Sequence, residues 1–117
     1  MSEELYFTVT GFTRYFDLKP FRIGALLRCC KEPNNRYDSE AINVSLPMLG
    51  TIGYVANSPS TMAGGTMSAG RLSAHVGERF HARVMFTTRT KAICRVETSM
   101  SHDECEEEIK SAIGDTF

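Results

Sequence analysis

The stretch from Phe80 to Val96, FHARVMFTTRTKAICRV, determines the fold class of this chain. Apolar side chains occupy every second position from 80 to 86, which is the pattern of a strand with one buried face. The residues from Thr87 to Lys91 predict a hairpin turn, after which apolar side chains return at positions 92, 94 and 96. We therefore predict two antiparallel strands joined by a short turn.

Four more short strands are predicted upstream of this hairpin. They are expected at residues 5–10, 25–31, 41–46 and 51–55. Residues 12–24, which include Pro20 and Gly24, are expected to form a loop. Gly53, inside the fourth strand, permits a neighbouring backbone to approach closely.

Two helices complete the prediction. Ser58 is the expected N-cap of the first helix, with Pro59 at its first position. Three glycines before Leu72 should keep this helix short or irregular. The acidic segment 101–113 begins with a Ser-x-x-Glu capping box and predicts a terminal helix that ends at Gly114.

Short strands without strand–helix alternation favour a mainly β fold, a small antiparallel barrel of about six strands with a short mid-chain helix and a C-terminal helix. The 117 residues have the size of one domain, 1–117, with a core over residues 5–98. No apolar run approaches the ~20 residues that a membrane span requires. The acidic start, Met1 to Glu4, lacks the apolar segment of a signal peptide, so we expect a cytoplasmic protein with no membrane partner.

The four cysteines are predicted to be buried, reduced thiols. They are Cys29, Cys30, Cys94 and Cys105. They form no C-x-x-C motif, and the three histidines are scattered, which argues against a zinc site. We therefore expect neither a metal nor a cofactor.

The formal net charge of −1 conceals an asymmetry along the chain. Residues 5–96 carry twelve basic and five acidic side chains, a net charge of +7, whereas residues 97–117 carry seven acids and one lysine, a net charge of −6. Clustered basic side chains favour a polyanion partner because they release counterions on binding phosphate. Two alternatives remain open: an ordinary solvated surface, and an acidic helix folded over the basic body as a competitor.

The segment Arg14-Tyr15-Phe16 combines a cation with two aromatic rings in a predicted loop. Exposed rings can stack on unpaired bases while arginine binds phosphate. The alternative is that the rings fill the core beneath the loop, and for Phe16 this alternative is favoured.

A second segment, EPNNRYDSEAI at residues 32–42, is rich in amide and carboxylate side chains. These groups can hydrogen-bond a sugar hydroxyl or a base edge, but they also build Asx turns. The sequence lacks a Walker loop and the G-x-S-x-G and H-E-x-x-H motifs, so we expect no enzyme. A nucleic-acid hydrolase is the least favoured interpretation.

The second segment, together with Gly53-Tyr54-Val55, resembles the HIRAN domain family. The matching string is E-P-N-N-x-Y-D-x-x-A-I, and Val9-Thr10-Gly11 followed by Arg14-Tyr15-Phe16 is similar to the family's opening strand and loop. The resemblance spans roughly residues 6–97. It implies an OB-like barrel that binds single-stranded DNA at its 3′-hydroxyl end, in DNA repair or replication-fork processing, with a repair or helicase protein as a further partner.

The resemblance also implies roles for individual residues. By position, Arg14 would contact phosphate, Tyr15 would stack on the terminal bases, and Asp38 would accept the 3′-hydroxyl. The candidate DNA-binding residues are Arg14, Tyr15, Phe16, Asn34, Asn35, Tyr37, Asp38, Tyr54 and Asn57.

Three departures from the family pattern bear on the site. One extra residue lies between Gly11 and Arg14, Phe16 replaces a tyrosine, and Asn57 stands where a basic residue is expected, which would weaken phosphate contact. The alternative function is a protein-interaction adaptor that uses the acidic C-terminal helix, with the barrel as its scaffold.

Overall fold

The computed structural model describes residues 4–116, with side chains in the last helix as far as Ile113. The prediction that the acidic start, Met1 to Glu4, is not a signal peptide falls mostly on residues outside this range. The elements are β1 (Tyr6–Thr10), a 3₁₀ turn (Phe12–Arg14), β2 (Leu26–Lys31), β3 (Ile42–Leu46), β4 (Gly50–Val55), α1 (Ala69–Ser73), β5 (Arg79–Thr87), β6 (Ala92–Val96) and α2 (His102–Thr116). No helix in this part of the chain is long and apolar enough to cross a bilayer.

The six strands close into an antiparallel barrel in the order β1-β4-β3-β2-β5-β6. This confirms the predicted mainly β fold and the number of strands. The barrel interior is filled by inward-facing apolar side chains, most of them fully buried. They include Phe7, Val9, Leu27, Ile42, Val44, Ile52, Val84 and Cys94.

The barrel closes at a narrow seam between β1 and β4. Only two residue pairs, Val9–Val55 and Thr10–Tyr54, join these strands, whereas four pairs join β1 to β6. A Cβ atom on Gly53 would lie 2.8 Å from Val9 Cγ1 and 3.2 Å from the carbonyl oxygen of Thr10. Glycine therefore allows β1 to approach β4 closely, as the sequence predicted.

The hairpin of β5 and β6 contains an irregularity that the alternating pattern does not indicate. The register shifts between Val84, which pairs with Cys94, and Phe86, which pairs with Ile93. A bulge inserts one extra residue and reverses which face the following side chains occupy. Phe86 is consequently 54% exposed, although its spacing from Val84 predicted the buried face.

The mid-chain helix begins later than predicted. It is the short α1 with Ser68 as N-cap, whose hydroxyl accepts a hydrogen bond from Arg71 N at 3.2 Å. Ser58 instead starts a turn, in which Thr61 N bonds its carbonyl. The intervening chain is held by β1, because Ala63 N donates to Thr8 Oγ1 and Met67 N donates to the carbonyl of Tyr6. These long-range hydrogen bonds override the local helix signal.

The terminal helix α2 has the predicted start but a different end. Ser101 and Glu104 exchange the two hydrogen bonds of a capping box, at 2.9 and 3.1 Å. The helix continues past Gly114 to Thr116, so the prediction that Gly114 ends it is wrong. Its buried residues are Cys105, Ile109 and Ile113.

The helix α2 packs against β2 and β5, where its acids meet basic residues of the barrel. Glu106 pairs with Arg28 and lies 2.7 Å from His81 Nε2, and Glu108 lies 2.8 Å from Arg83. Some acids of the C-terminal segment thus neutralise basic residues of the barrel within the same chain. The ion pairs hold the acidic helix on one side of the barrel.

Candidate functional site

The loop between β2 and β3 is shaped by its own polar side chains. Asn35 Oδ1 accepts hydrogen bonds from the backbone N–H groups of Tyr37 and Asp38, at 2.9 and 3.1 Å. Asp38 Oδ1 accepts from Glu40 N at 2.8 Å. These are Asx-type turns, so the structural interpretation of this segment holds for Asn35. The turns fix where the Asp38 carboxylate lies.

Glu32 joins this loop to the outer surface of β4. Its Oε1 accepts hydrogen bonds from Asn35 Nδ2 and from the Tyr54 hydroxyl, both at 3.0 Å. Burial raises the pKa of Tyr54, and the hydrogen bond to Glu32 raises it further. Glu32 belongs to the motif that resembles the family but is not among the predicted site residues. A single acidic residue in a region expected to bind phosphate does not indicate that it will accept hydrogen bonds from the loop and from β4.

Asn57 connects two carboxylates to α1. Its Nδ2 lies 3.1 Å from Asp38 Oδ2 and 3.1 Å from Glu40 Oε1, and its Oδ1 accepts from Gly70 N at 2.9 Å. Glu40 is a second residue outside the predicted site residues, since the spacing of Asp38 and Glu40 alone is not diagnostic of a carboxylate pair. All the side-chain polar atoms of Asn57 face protein groups rather than an empty surface.

The segment Arg14-Tyr15-Phe16 begins at the last residue of the 3₁₀ turn, which packs against β4. Tyr15 is 41% exposed and Phe16 is 40% exposed. The interpretation of Phe16 as a core residue is wrong, because Phe12 and Phe21 fill the space beneath the loop with ring centroids 5.5 Å apart. Phe21 also reaches β4, where its Cζ lies 3.5 Å from a Cβ built on Gly53.

Tyr15 comes directly after the 3₁₀ turn, which packs against β4, the strand that carries Tyr54. Tyr54 in turn bonds Glu32, Glu32 bonds Asn35, and Asn35 caps the turn that carries Asp38. Residues from three separate segments therefore form one continuous surface over β4 and the β2–β3 loop. We call it the β4 surface, with Tyr15 at one end and Asp38 at the other.

The remaining candidates have no side-chain contact in the chain of hydrogen bonds that runs from Tyr54 to Asp38. Arg14 is exposed and forms no ion pair with another described residue. Tyr37 is 94% exposed and contributes only its backbone N–H to the loop. Asn34 and Asn35 line an open pocket of about 420 Å³ with Lys31, Glu32, Pro33 and Glu78.

The β4 surface and the adjoining Arg14 offer exposed rings, a cation and fixed carboxylate acceptors, the groups with which a protein binds a ligand. Rings stack on flat ligands, and carboxylates accept hydrogen bonds from hydroxyl or amino groups. Within residues 4–116, no three or more His, Cys, Asp or Glu side chains are grouped to hold a metal ion.

The comparisons with known proteins agree with this architecture. The chain is similar in structure to the HIRAN domain of human HLTF, with a TM-score of 0.54 and 17% identity over 92% of this chain and 87% of that one. It is also similar to a protein from Lactobacillus plantarum, with a TM-score of 0.50 and 21% identity over 82% of this chain and 98% of that one. At these identities the two structures show a shared fold alone. No curated protein matches the chain.

The sequence itself matches the model of the HIRAN domain over residues 2–104. This range contains the barrel, α1, the start of α2 and every residue of the β4 surface. The chain therefore belongs to the HIRAN domain family, whose domains are nucleic-acid-binding modules and not catalytic in themselves.

Proposed function

We propose that this domain binds the 3′-hydroxyl end of single-stranded DNA on the β4 surface, in DNA repair or replication-fork processing. The observation that carries the proposal is that two different parts of the chain meet at β4. Exposed Tyr15 follows the 3₁₀ turn that packs against this strand, and the loop that fixes Asp38 is hydrogen-bonded to it through Glu32 and Tyr54. A carboxylate repels phosphate, so its presence in a DNA site is reasonable only opposite a hydrogen-bond donor such as a terminal hydroxyl.

The two ends of the β4 surface have different tasks in this proposal. Tyr15 and Phe16 stack on the last bases, and Arg14 binds the phosphate between them. Asp38 accepts the hydrogen bond of the 3′-hydroxyl, and exposed Tyr37 and Asn34 border the terminal nucleotide. Such contacts read the end of a strand and not its base sequence.

Fluorescence anisotropy with one labelled oligonucleotide, ending in 3′-hydroxyl or 3′-phosphate, tests the proposal at low and moderate salt. We expect the hydroxyl form to bind more tightly. Tyr15→Ala should weaken binding of both forms by about 5- to 150-fold, the equivalent of ~1–3 kcal/mol per stacked base. Asp38→Ala should remove the preference for the hydroxyl.

Two matched controls separate the β4 surface from general effects. Phe86 is an exposed aromatic residue on β5, which lies opposite β4 in the strand order, so Phe86→Ala should leave binding unchanged. Arg89 is an exposed basic residue in the β5–β6 turn, so Arg89→Ala should weaken binding less than Arg14→Ala. Equal effects of the two arginine variants would reduce the site to a general basic surface.

The adaptor alternative has less support. The apolar stripe of α2 is buried against the barrel, and Glu106 and Glu108 form ion pairs with barrel residues. The apolar face of α2 and two of its acids are therefore not available to bind a partner protein. Failure of every oligonucleotide to bind, together with a partner lost on deletion of residues 99–117, would reverse this preference.

A further inference from the structure

The role of Asn57 follows from how its side-chain amide is satisfied. Its Nδ2 lies 3.1 Å from both Asp38 Oδ2 and Glu40 Oε1, while its Oδ1 accepts from Gly70 N. The opposite amide orientation would place an oxygen against two carboxylates and an N–H₂ group against an N–H. The three contacts therefore fix one orientation, with both donor hydrogens directed at carboxylates.

Asp38 and Glu40 are two like charges brought together without a cation. Neither forms an ion pair with a described lysine or arginine. The neutral amide of Asn57 bridges them, and Glu40 N donates to the other oxygen of Asp38. Glu40 is also confined by α1, since a Cβ on Gly70 would lie 2.6 Å from its Oε2.

Asp38 keeps acceptor capacity after these contacts. A carboxylate offers about four lone-pair positions. One on Oδ1 is used by Glu40 N and one on Oδ2 by Asn57, so each oxygen retains a position for a further donor. The carboxylate is held in place by two neutral donors and stands beside the carboxylate of Glu40.

We infer that Asn57 is a positioning residue that makes this site select a 3′-hydroxyl against a 3′-phosphate, an inference that rests on the proposed function. Asn57 fixes Asp38 through a neutral donor, so the end pocket keeps the negative charge of both carboxylates. A hydroxyl donates to that pocket, whereas a terminal phosphate is repelled. A lysine at position 57 would also hold the carboxylates, but it would supply a partner for the phosphate.

The test uses three oligonucleotides of one sequence that end in 3′-hydroxyl, 3′-hydrogen or 3′-phosphate. In the wild-type protein we expect the order hydroxyl, hydrogen, phosphate. Asn57→Ala should lower the ratio of hydroxyl to hydrogen affinity by about fivefold, because Asp38 loses one of its two fixing hydrogen bonds. Phe86→Ala should leave that ratio at the wild-type value.

Two further variants separate positioning from a structural effect. Asn57→Lys should reduce the preference for hydroxyl over phosphate by about tenfold or more. In an Asp38→Ala background, Asn57→Ala should change the hydroxyl-to-hydrogen ratio no further, as expected if it acts through Asp38. Thermal unfolding accompanies each variant, and Asn57→Lys, which supplies a cation to the two carboxylates, keeps the test open if the alanine variant does not fold.

The outcomes distinguish a failure of the proposed function from a failure of the inference about Asn57. A wild-type protein that binds hydroxyl and hydrogen ends equally overturns the proposed function, and with it the role of Asn57. A wild-type preference that survives unchanged in Asn57→Ala, or in Asn57→Lys if the alanine variant does not fold, overturns only the inference about Asn57. If Asn57→Ala lowers the hydroxyl-to-hydrogen ratio in the Asp38→Ala background as well, its effect does not act through Asp38. That result would also overturn the inference about Asn57.

Discussion

The hydroxyl of Tyr54 on β4 donates a 3.0 Å hydrogen bond to Glu32 Oε1 at the end of β2. The two residues are 22 positions apart in sequence, and the bond connects the two halves of the β4 surface. Because Glu32 Oε1 also accepts from Asn35, the loop that carries Asp38 is supported from β4. The stability of the loop thus depends on a phenol oxygen outside it.

We expect Tyr54→Phe to lower the free energy of unfolding by about 1 kcal/mol, the usual net value of such a hydrogen bond. Urea denaturation measures this loss. Tyr37→Phe is the control, since the Tyr37 side chain is almost fully exposed and its hydroxyl forms no hydrogen bond to a described residue. Equal stability of both variants would contradict a supporting role for Tyr54.

The ion pair between Glu106 and Arg28 makes stability dependent on acid pH. The hydrogen bond from Arg28, aided by His81, lowers the pKa of Glu106 to about 2, against the opposing effect of burial. A carboxyl whose pKa is lower in the folded state contributes stability above its unfolded pKa of ~4.3 and loses it as the pH falls towards 2. Glu106→Gln should therefore flatten the fall in stability between these pH values.

Urea denaturation at several pH values between 2 and 5 measures this effect. Glu107→Gln is the matched control, because Glu107 is the next residue on α2, is exposed, and forms no ion pair with a described residue. It should retain the wild-type slope. A slope reduced equally in both variants would assign the dependence to the total charge of α2.

Gly53→Ala should destabilise the barrel by about 1–3 kcal/mol, the typical cost of overpacking. The added Cβ would meet Val9 Cγ1 at 2.8 Å and the Thr10 carbonyl at 3.2 Å, which forces β1 away from β4. Gly64→Ala is the control, because its Cβ would have no neighbour within 4 Å. Thermal unfolding compares the two, and equal midpoints would refute a close packing requirement at the seam.

The four thiols should differ sharply in reactivity. Burial raises the pKa of Cys94 to about 12, and it also raises the pKa values of Cys29 and Cys105. Since the thiolate is the reactive form, a disulfide reagent at pH 8 should modify only Cys30, which is partly exposed. The absorbance of the released reagent should show one rapidly modified thiol in the native wild-type protein and none in native Cys30→Ser. The wild-type protein unfolded in guanidinium should show four. Rapid modification of a second native thiol would contradict this burial.

Local patterns were sufficient to predict most of the barrel. Alternation placed the strands, Gly53 indicated close approach, and Ser101 with Glu104 fixed the start of α2, because each of these features depends on neighbouring residues. The position of α1 was not predictable in this way, since residues 63–67 are held by hydrogen bonds to β1. The exposure of Phe86 depends on a bulge, which leaves no signal in a hydrophobic pattern.

Some residues of the candidate site could be predicted from the motif, whereas others are identified only by long-range contacts. The motif string and its family resemblance identified Tyr15, Asp38 and Tyr54 as residues of interest. The parts played by Glu32 and Glu40 come from contacts with residues far away in sequence, Tyr54 and Asn57 respectively. A single acid has no distinctive spacing, so such partners become visible only when the strands are assembled.

The narrow seam between β1 and β4 has a consequence for the order of folding. The β3–β4 and β5–β6 hairpins are local and form with a small entropic cost, whereas pairing Thr10 with Tyr54 requires a long stretch of chain to close. Tyr54 belongs to this long-range contact and also supports the loop of Asp38. An intermediate with intact hairpins and an open seam has native strands but no complete β4 surface. Ligand capture in a refolding experiment would therefore time the closure of this seam.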